Sequence, residues 1–94
     1  MLTHIALFKL REERRSVADQ IAKNLEAALT PLGAASLEVR CDVRGTPRSC
    51  DIAVLSTFED MDALQRFLSD PRHAAAATEI MEASEREMLA DFTS

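Results

Sequence analysis

No stretch of this sequence approaches the roughly 20 consecutive apolar residues that a membrane-spanning helix needs. The amino terminus also lacks the basic start of a secretory signal, and His4 and Lys9 interrupt its apolar run. The sequence therefore predicts no membrane partner and a cytoplasmic setting. Cysteine is scarce: only Cys41 and Cys50 are present. Two histidines complete the inventory of soft ligands, and without suitable spacing they do not make up a set of four metal ligands. Neither a metal nor a cofactor is expected. Both cysteines flank the turn-like Arg44-Gly45-Thr46-Pro47-Arg48, so a hairpin would bring them nearly opposite each other. In a reducing cytosol they read as free thiols that behave as small apolar side chains.

A basic stripe is missing as well. Asp and Glu number 16 against 11 Lys and Arg, for a net charge of −5. That balance favours solubility and argues against binding a nucleic-acid backbone. Lys9, Arg11, Arg14 and Arg15 form the one local basic cluster, but Glu12 and Glu13 interrupt it, as in a solvated turn. No internal repeat, low-complexity segment or linker divides the chain, so residues 1–94 read as a single domain. A chain of this length buries only about two-thirds of the surface its unfolded form exposes, which makes oligomerisation a natural way to gain core.

What is present is a clear alternation of elements. Leu2 to Leu10 reads as a strand with His4, Ala6, Phe8 and Leu10 on one face and Thr3, Ile5, Leu7 and Lys9 on the other. Both faces are largely apolar, as in a strand covered on both sides. A helix follows, from about Glu13 or Val17 to Leu32, with Val17, Ile21, Leu25, Leu29 and Leu32 as its apolar stripe. Ser16 with Asp19 resembles a capping box, Gly33 suits a left-handed C-terminal position, and Pro31 predicts an irregular last turn. Leu37 to Val43 alternates as a strand with one solvated face, and Ile52 to Phe58 reads as a second interior strand. Asp60 caps a short helix carrying Met61, Leu64, Phe67 and Leu68. Asp70-Pro71 then starts another helix, to about Ser84, whose inner side is His73, Ala76, Ala77, Ile80, Met81 and Ser84. A strand from Glu87 to Phe92 closes the chain.

The order β-α-β-β-α-β predicts an α+β domain of ferredoxin-like type, a four-stranded antiparallel sheet with strands one and three central. Both helical regions then lie on one face of the sheet. On the other face Thr3, Ile5 and Leu7 would stand with Ala53, Leu55 and Thr57, an apolar patch that marks an association site. The expected assembly is a homodimer with two sheets face to face, closing a dimeric α+β barrel.

Four segments in register carry a resemblance. They are Met1-Leu2-Thr3-His4-Ile5-Ala6-Leu7-Phe8-Lys9-Leu10, Asp51-Ile52-Ala53-Val54-Leu55-Ser56-Thr57-Phe58-Glu59-Asp60, Pro71-Arg72-His73 and Leu89-Ala90-Asp91-Phe92. Over nearly the whole chain this pattern resembles the stress-responsive A/B barrel (Dabb) family. The resemblance implies a dimeric α+β barrel, in agreement with the patterning. It also implies a comparison with a plant polyketide cyclase of that family, where a cleft between sheet and helices holds a linear polyketide and a His and a Tyr act as acid and base. The cyclase's catalytic His closes a His-Pro-x-His stretch that is matched here by Asp70-Pro71-Arg72-His73. The resemblance therefore sets that His at His73, the Tyr at Phe67, the first-strand His at His4 and a further cleft His at Ile52. Asp70 stands where the stretch has its first His.

His73, at the third position of its helix, sits near a helix N-terminus that disfavours positive charge, so a neutral imidazole is expected there. A neutral imidazole in a pocket is what a general base requires. His4 lies on the helix-facing side of the first strand, so both rings are expected at one cleft. Its predicted wall is Ala6 and Phe8 from the first strand, Ile52 and Val54 from the third, Phe67, then Ala76, Ala77, Ile80 and Ser84, with Leu89 from the last strand. Phe67 cannot transfer a proton, and strand parity places Asp42 and Asp51 away from this cleft. Three functions compete: a module binding a small apolar or aromatic metabolite, an acid–base enzyme of cyclase or lyase type using His73 helped by His4, and a stress-related structural protein without ligand.

Overall fold

The computed structural model describes residues 1–94. Strand β1 (Leu2–Leu10) leads through a 3-10 helix (Glu12–Val17) into α1 (Ala18–Leu29) and a 3-10 turn (Thr30–Leu32). Strands β2 (Ser36–Cys41) and β3 (Ile52–Phe58) follow, then α2 (Met61–Ser69), α3 (Pro71–Ala83) and β4 (Ser84–Thr93). The sheet order is β2-β3-β1-β4, antiparallel throughout, with β1 and β3 central as their two apolar faces predict.

Burial along β1 alternates without a break: Leu2, His4, Ala6, Phe8 and Leu10 are buried under the helices, and the residues between them only partly so. Ile52, Val54, Ser56 and Phe58 do the same on β3. Leu25 and Leu29 of α1, Leu64 and Phe67 of α2, and Ala76, Ile80 and Ala83 of α3 close over them. Each fully buried Leu, Ile or Phe here contributes about 1.5–3 kcal/mol relative to an exposed side chain.

Local chemistry sets the element ends. Asp60 accepts from Ala63 N at 2.9 Å, and Asp70 from Arg72 N at 2.8 Å, so both aspartates are N-caps. Gly33 adopts φ +95° after the 3-10 turn that contains Pro31. At the end of β1 the register shifts between Lys9 and Leu10, where Asp51 Oδ2 accepts from Leu10 N at 2.7 Å. Asp51 N in turn donates to Phe8 O, and Arg15 reaches the same carboxylate at 3.7 Å.

Several expectations need correction. The Ser16/Asp19 capping box does not form: Val17 occupies the N-cap of α1 without a side-chain cap, because the preceding residues already turn as a 3-10 helix. That turn also swings Val17 out of the apolar stripe, leaving it exposed, and Ala22 takes a buried place instead. Strand β2 ends at Cys41, with Asp42 Oδ2 accepting from Arg44 N and Gly45 N to start the turn, and Val43 is fully exposed. Cys41 pairs with Ile52, so Cys50 is not directly opposite it. Met81 points to solvent and Ala83 is buried in its stead. The last strand is longer than expected because it begins immediately after α3.

Candidate functional site

Cross-strand register assembles the site. His4 on β1 pairs directly with Asp91 on β4 and with Ser56 on β3. Directly opposed residues share a face of the sheet, so the Asp91 carboxylate stands beside the buried His4 ring. Its Oδ1 lies 2.5 Å from His4 Nδ1. With the carboxylate accepting from Nδ1–H, the ring's orientation is fixed, and a neutral imidazole there has its lone pair on Nε2. On the other side Ser56, almost fully buried, donates from Oγ to His4 O at 3.4 Å.

His73 comes to the same place from α3. The Asp70 cap sets the start of that helix, and His73 N donates to Asp70 O at 2.8 Å. Its ring stands edge-on to Phe67, with centroids 5.1 Å apart at 64°, and Phe67 packs in the same manner on Phe58 at 5.0 Å. Burial lowers the His73 pKa and the nearby His4 lowers it further, while Asp70 opposes them. The neutral imidazole is therefore favoured. Asp70 itself takes no part in the cleft's chemistry. Its carboxyl is pulled down to about 2 by the Arg72 side chain and backbone N–H, which occupy both of its oxygens.

Between the sheet and the helices lies a cavity of about 140 Å³. Ten apolar side chains line it together with four titratable ones, His4, His73, Glu87 and Asp91. Seven of the predicted wall residues are present: Ala6, Phe8, Val54, Phe67, Ala77, Ile80 and Leu89. Ile52, Ala76 and Ser84 are not. Ile52 is sealed in the core at the far end of β3, and Ala76 turns towards α1, where it borders a separate depression of about 60 Å³. Ser84 is the first residue of β4, and its hydroxyl is spent on Ile80 O at 2.7 Å.

Sequence reading missed Leu25, Leu29 and Leu68, and it missed the two carboxylates of β4. A signal for the carboxylates existed. Glu87, Leu89 and Asp91 alternate along the closing strand, and Leu89 had already been placed on the cleft side. Asp42 and Asp51 lie elsewhere, each bonded to backbone near the β2–β3 turn or the end of β1. Cys41 and Cys50 are free thiols. Burial and the neighbouring Asp19 push the Cys41 pKa up, which makes its thiol less reactive.

On the opposite face of the sheet, Thr3, Ile5 and Leu7 stand beside Thr57, Leu55 and Ala53 in register. Strand β4 extends this surface with Phe92, Ala90 and Met88, the direct partners of the same three β1 residues. Leu55, Met88 and Phe92 are all exposed. No helix of the protein is long and apolar enough to cross a membrane.

The sequence model described as the stress responsive A/B barrel domain matches residues 2–94. No curated protein sequence matches the chain. Among solved structures, a Dabb family protein with a ferredoxin-like fold from Mesorhizobium loti is similar, with TM-score 0.82 and 18% identity over 99% of this chain and 95% of the other. A dimeric protein of unknown function and ferredoxin-like fold from Bacteroides fragilis aligns at TM-score 0.75 and 25% identity, covering 99% and 95% of the two chains. An antibiotic biosynthesis monooxygenase shares the fold at TM-score 0.79 but only 11% identity, with 100% of this chain and 98% of that one covered. At that identity the likeness concerns the fold alone.

Proposed function

The chain belongs to the stress responsive A/B barrel domain family, and on that footing we propose that residues 1–94 form one domain of a cytoplasmic homodimer whose subunits each hold a small apolar or aromatic metabolite between sheet and helices. The observation that carries this reading is the cavity of about 140 Å³ with two imidazoles and two carboxylates set among ten apolar side chains. A cavity near 150 Å³ is large enough to accept a benzene ring. A few convergent polar groups in an apolar pocket are the usual arrangement for orienting a small ligand. The dimeric neighbour from Bacteroides fragilis and the apolar outer face of the sheet support the assembly.

A thermal-shift screen tests the ligand. Monocyclic aromatics and short polyketide-like chains should raise the melting temperature. If neither that panel nor a small-molecule cell extract does so, the cavity is packing space and the protein acts through its dimer stability alone.

The His4–Asp91 pair favours acid–base catalysis as a second reading. Asp91 orients His4, and neutral His73 faces the same cavity, so His73 can take a proton and, as the imidazolium it becomes, return it in a later step with His4 as helper. A proton acidified by an adjacent carbonyl is the fitting substrate feature, as in cyclase or lyase chemistry. Phe67 supplies no hydroxyl, so the route would rest on the two histidines. An activity that persists unchanged in His73→Ala removes His73 from this mechanism.

A further inference from the structure

We infer that the cleft discriminates by the sign of its ligand's charge: it takes a single ring bearing a hydroxyl or an ammonium group and rejects ring carboxylates. The inference rests on the reading of the cleft as a ligand site and narrows the class of ligand.

No lysine or arginine lines the cavity, and two carboxylates do. Asp91 is shared with His4. If His4 is protonated, that pair is neutral; if not, it carries one negative charge. Glu87, two turns of the pleat away on the same face of β4, takes part in none of the molecule's ion pairs. His73 is held towards its neutral form by burial and by His4. The wall therefore carries a net charge of −1 or −2 in either state of His4. Arg72, which precedes His73 at the start of α3, is bound to Asp70 through Nε at 3.1 Å and Nη2 at 2.8 Å. On β4 itself, Arg86 pairs with Lys9 in register and so lies on the opposite face from Glu87.

Size and charge thus act together. The volume admits one ring and little more. A carboxylate on that ring would enter a partly desolvated, net negative space with no cation to receive it, whereas a hydroxyl or ammonium meets acceptors in Glu87, Asp91 and the imidazole lone pairs.

The test compares phenol, benzylammonium and benzoate at pH 7 by calorimetric titration of the intact protein. Benzylammonium and benzoate both lose hydration on entry, so their difference isolates the sign of the charge. Phenol and benzylammonium should bind, and benzoate should bind about tenfold more weakly than benzylammonium, or more. Glu87→Gln should narrow that ratio severalfold and weaken phenol far less than benzylammonium, because the amide oxygen still accepts from a hydroxyl. Benzoate binding as tightly as benzylammonium overturns the inference while leaving the cleft a ligand site. A ratio that Glu87→Gln does not move overturns the assignment to the wall charge. If none of the three probes binds, the reading of the cleft as a ligand site falls and this inference with it.

Discussion

His4 and Asp91 face each other across the β1–β4 ladder, with Nδ1 and Oδ1 2.5 Å apart. The ring is almost fully buried, whereas the carboxylate is partly open to solvent. Removing the carboxylate leaves a buried ring nitrogen without its partner. Asp91→Ala should therefore lower stability by about 1 kcal/mol, towards the low end of the range for an orphaned polar group because water can reach the site. For a domain of this size that is a fall of about 4–8 °C in melting temperature. Thermal unfolding followed by circular dichroism measures it. An unchanged melting temperature would mean that the pair contributes nothing to the fold.

His73 makes stability depend on pH. Its folded pKa lies below the ordinary value of 6.5, chiefly through burial. The unfolded chain therefore binds the proton more readily than the folded one. Stability from this residue is fully present above about pH 6.5 and is lost as pH falls through the depressed folded value. Urea denaturation at pH 7.5 and at pH 5 should show a loss in the wild type that is smaller in His73→Gln. The His73 ring resonances, followed by NMR, should titrate with a midpoint below 6.5. A midpoint above it would reverse the sign.

Gly33 carries a conformation that other residues adopt at a cost. Its φ is +95°, yet a Cβ at that position would meet nothing within 4 Å. The penalty of Gly33→Ala is then backbone strain without a clash, about 1 kcal/mol. Chemical denaturation should show the lower midpoint with an unchanged slope. A larger loss would mean that α1 or β2 shifts to accommodate the methyl group.

The ladder of strands was legible because each strand's neighbours dictate its pattern. Two apolar faces on Leu2–Leu10 and Ile52–Phe58 placed them at the centre of the sheet, and the structure puts them there. Helix starts were readable where a side chain does the capping, as at Asp60 and Asp70. The start of α1 was not, because Val17 caps it with no side-chain signature. At the cleft, parity put His4, Ala6, Phe8 and Val54 on the right face. Whether a residue on that face borders a void or is sealed in packing depends on the elements above it, which is why Ile52 and Ser84 fell outside. Asp91 was legible in kind, because alternation puts it on the same face as Leu89. That it stands directly opposite His4 follows from the β1–β4 register, which alternation alone does not fix.

The sheet's outer face supplies the last prediction. Ile5 and Leu55 are direct partners at its centre, and Met88 and Phe92 flank them from β4. Leu55, Met88 and Phe92 are each at least about a third exposed in the single chain, on an edge-to-edge apolar surface that water does not favour. Pairing two such faces removes apolar area at about 25 cal/mol per Å², enough for several kcal/mol per subunit. Sedimentation equilibrium should accordingly find a dimer at micromolar concentration. Leu55→Glu places two like charges near the centre of the joined faces and should shift the species to monomer, with a lower melting temperature that no longer rises with protein concentration as the dimer's does. The His4–Asp91 pair lies on the other side of the sheet, so the monomeric variant should keep phenol binding if the cleft is complete within one subunit. A wild-type monomer at micromolar concentration would remove the dimer and leave the exposed Met88 and Phe92 without an occupant.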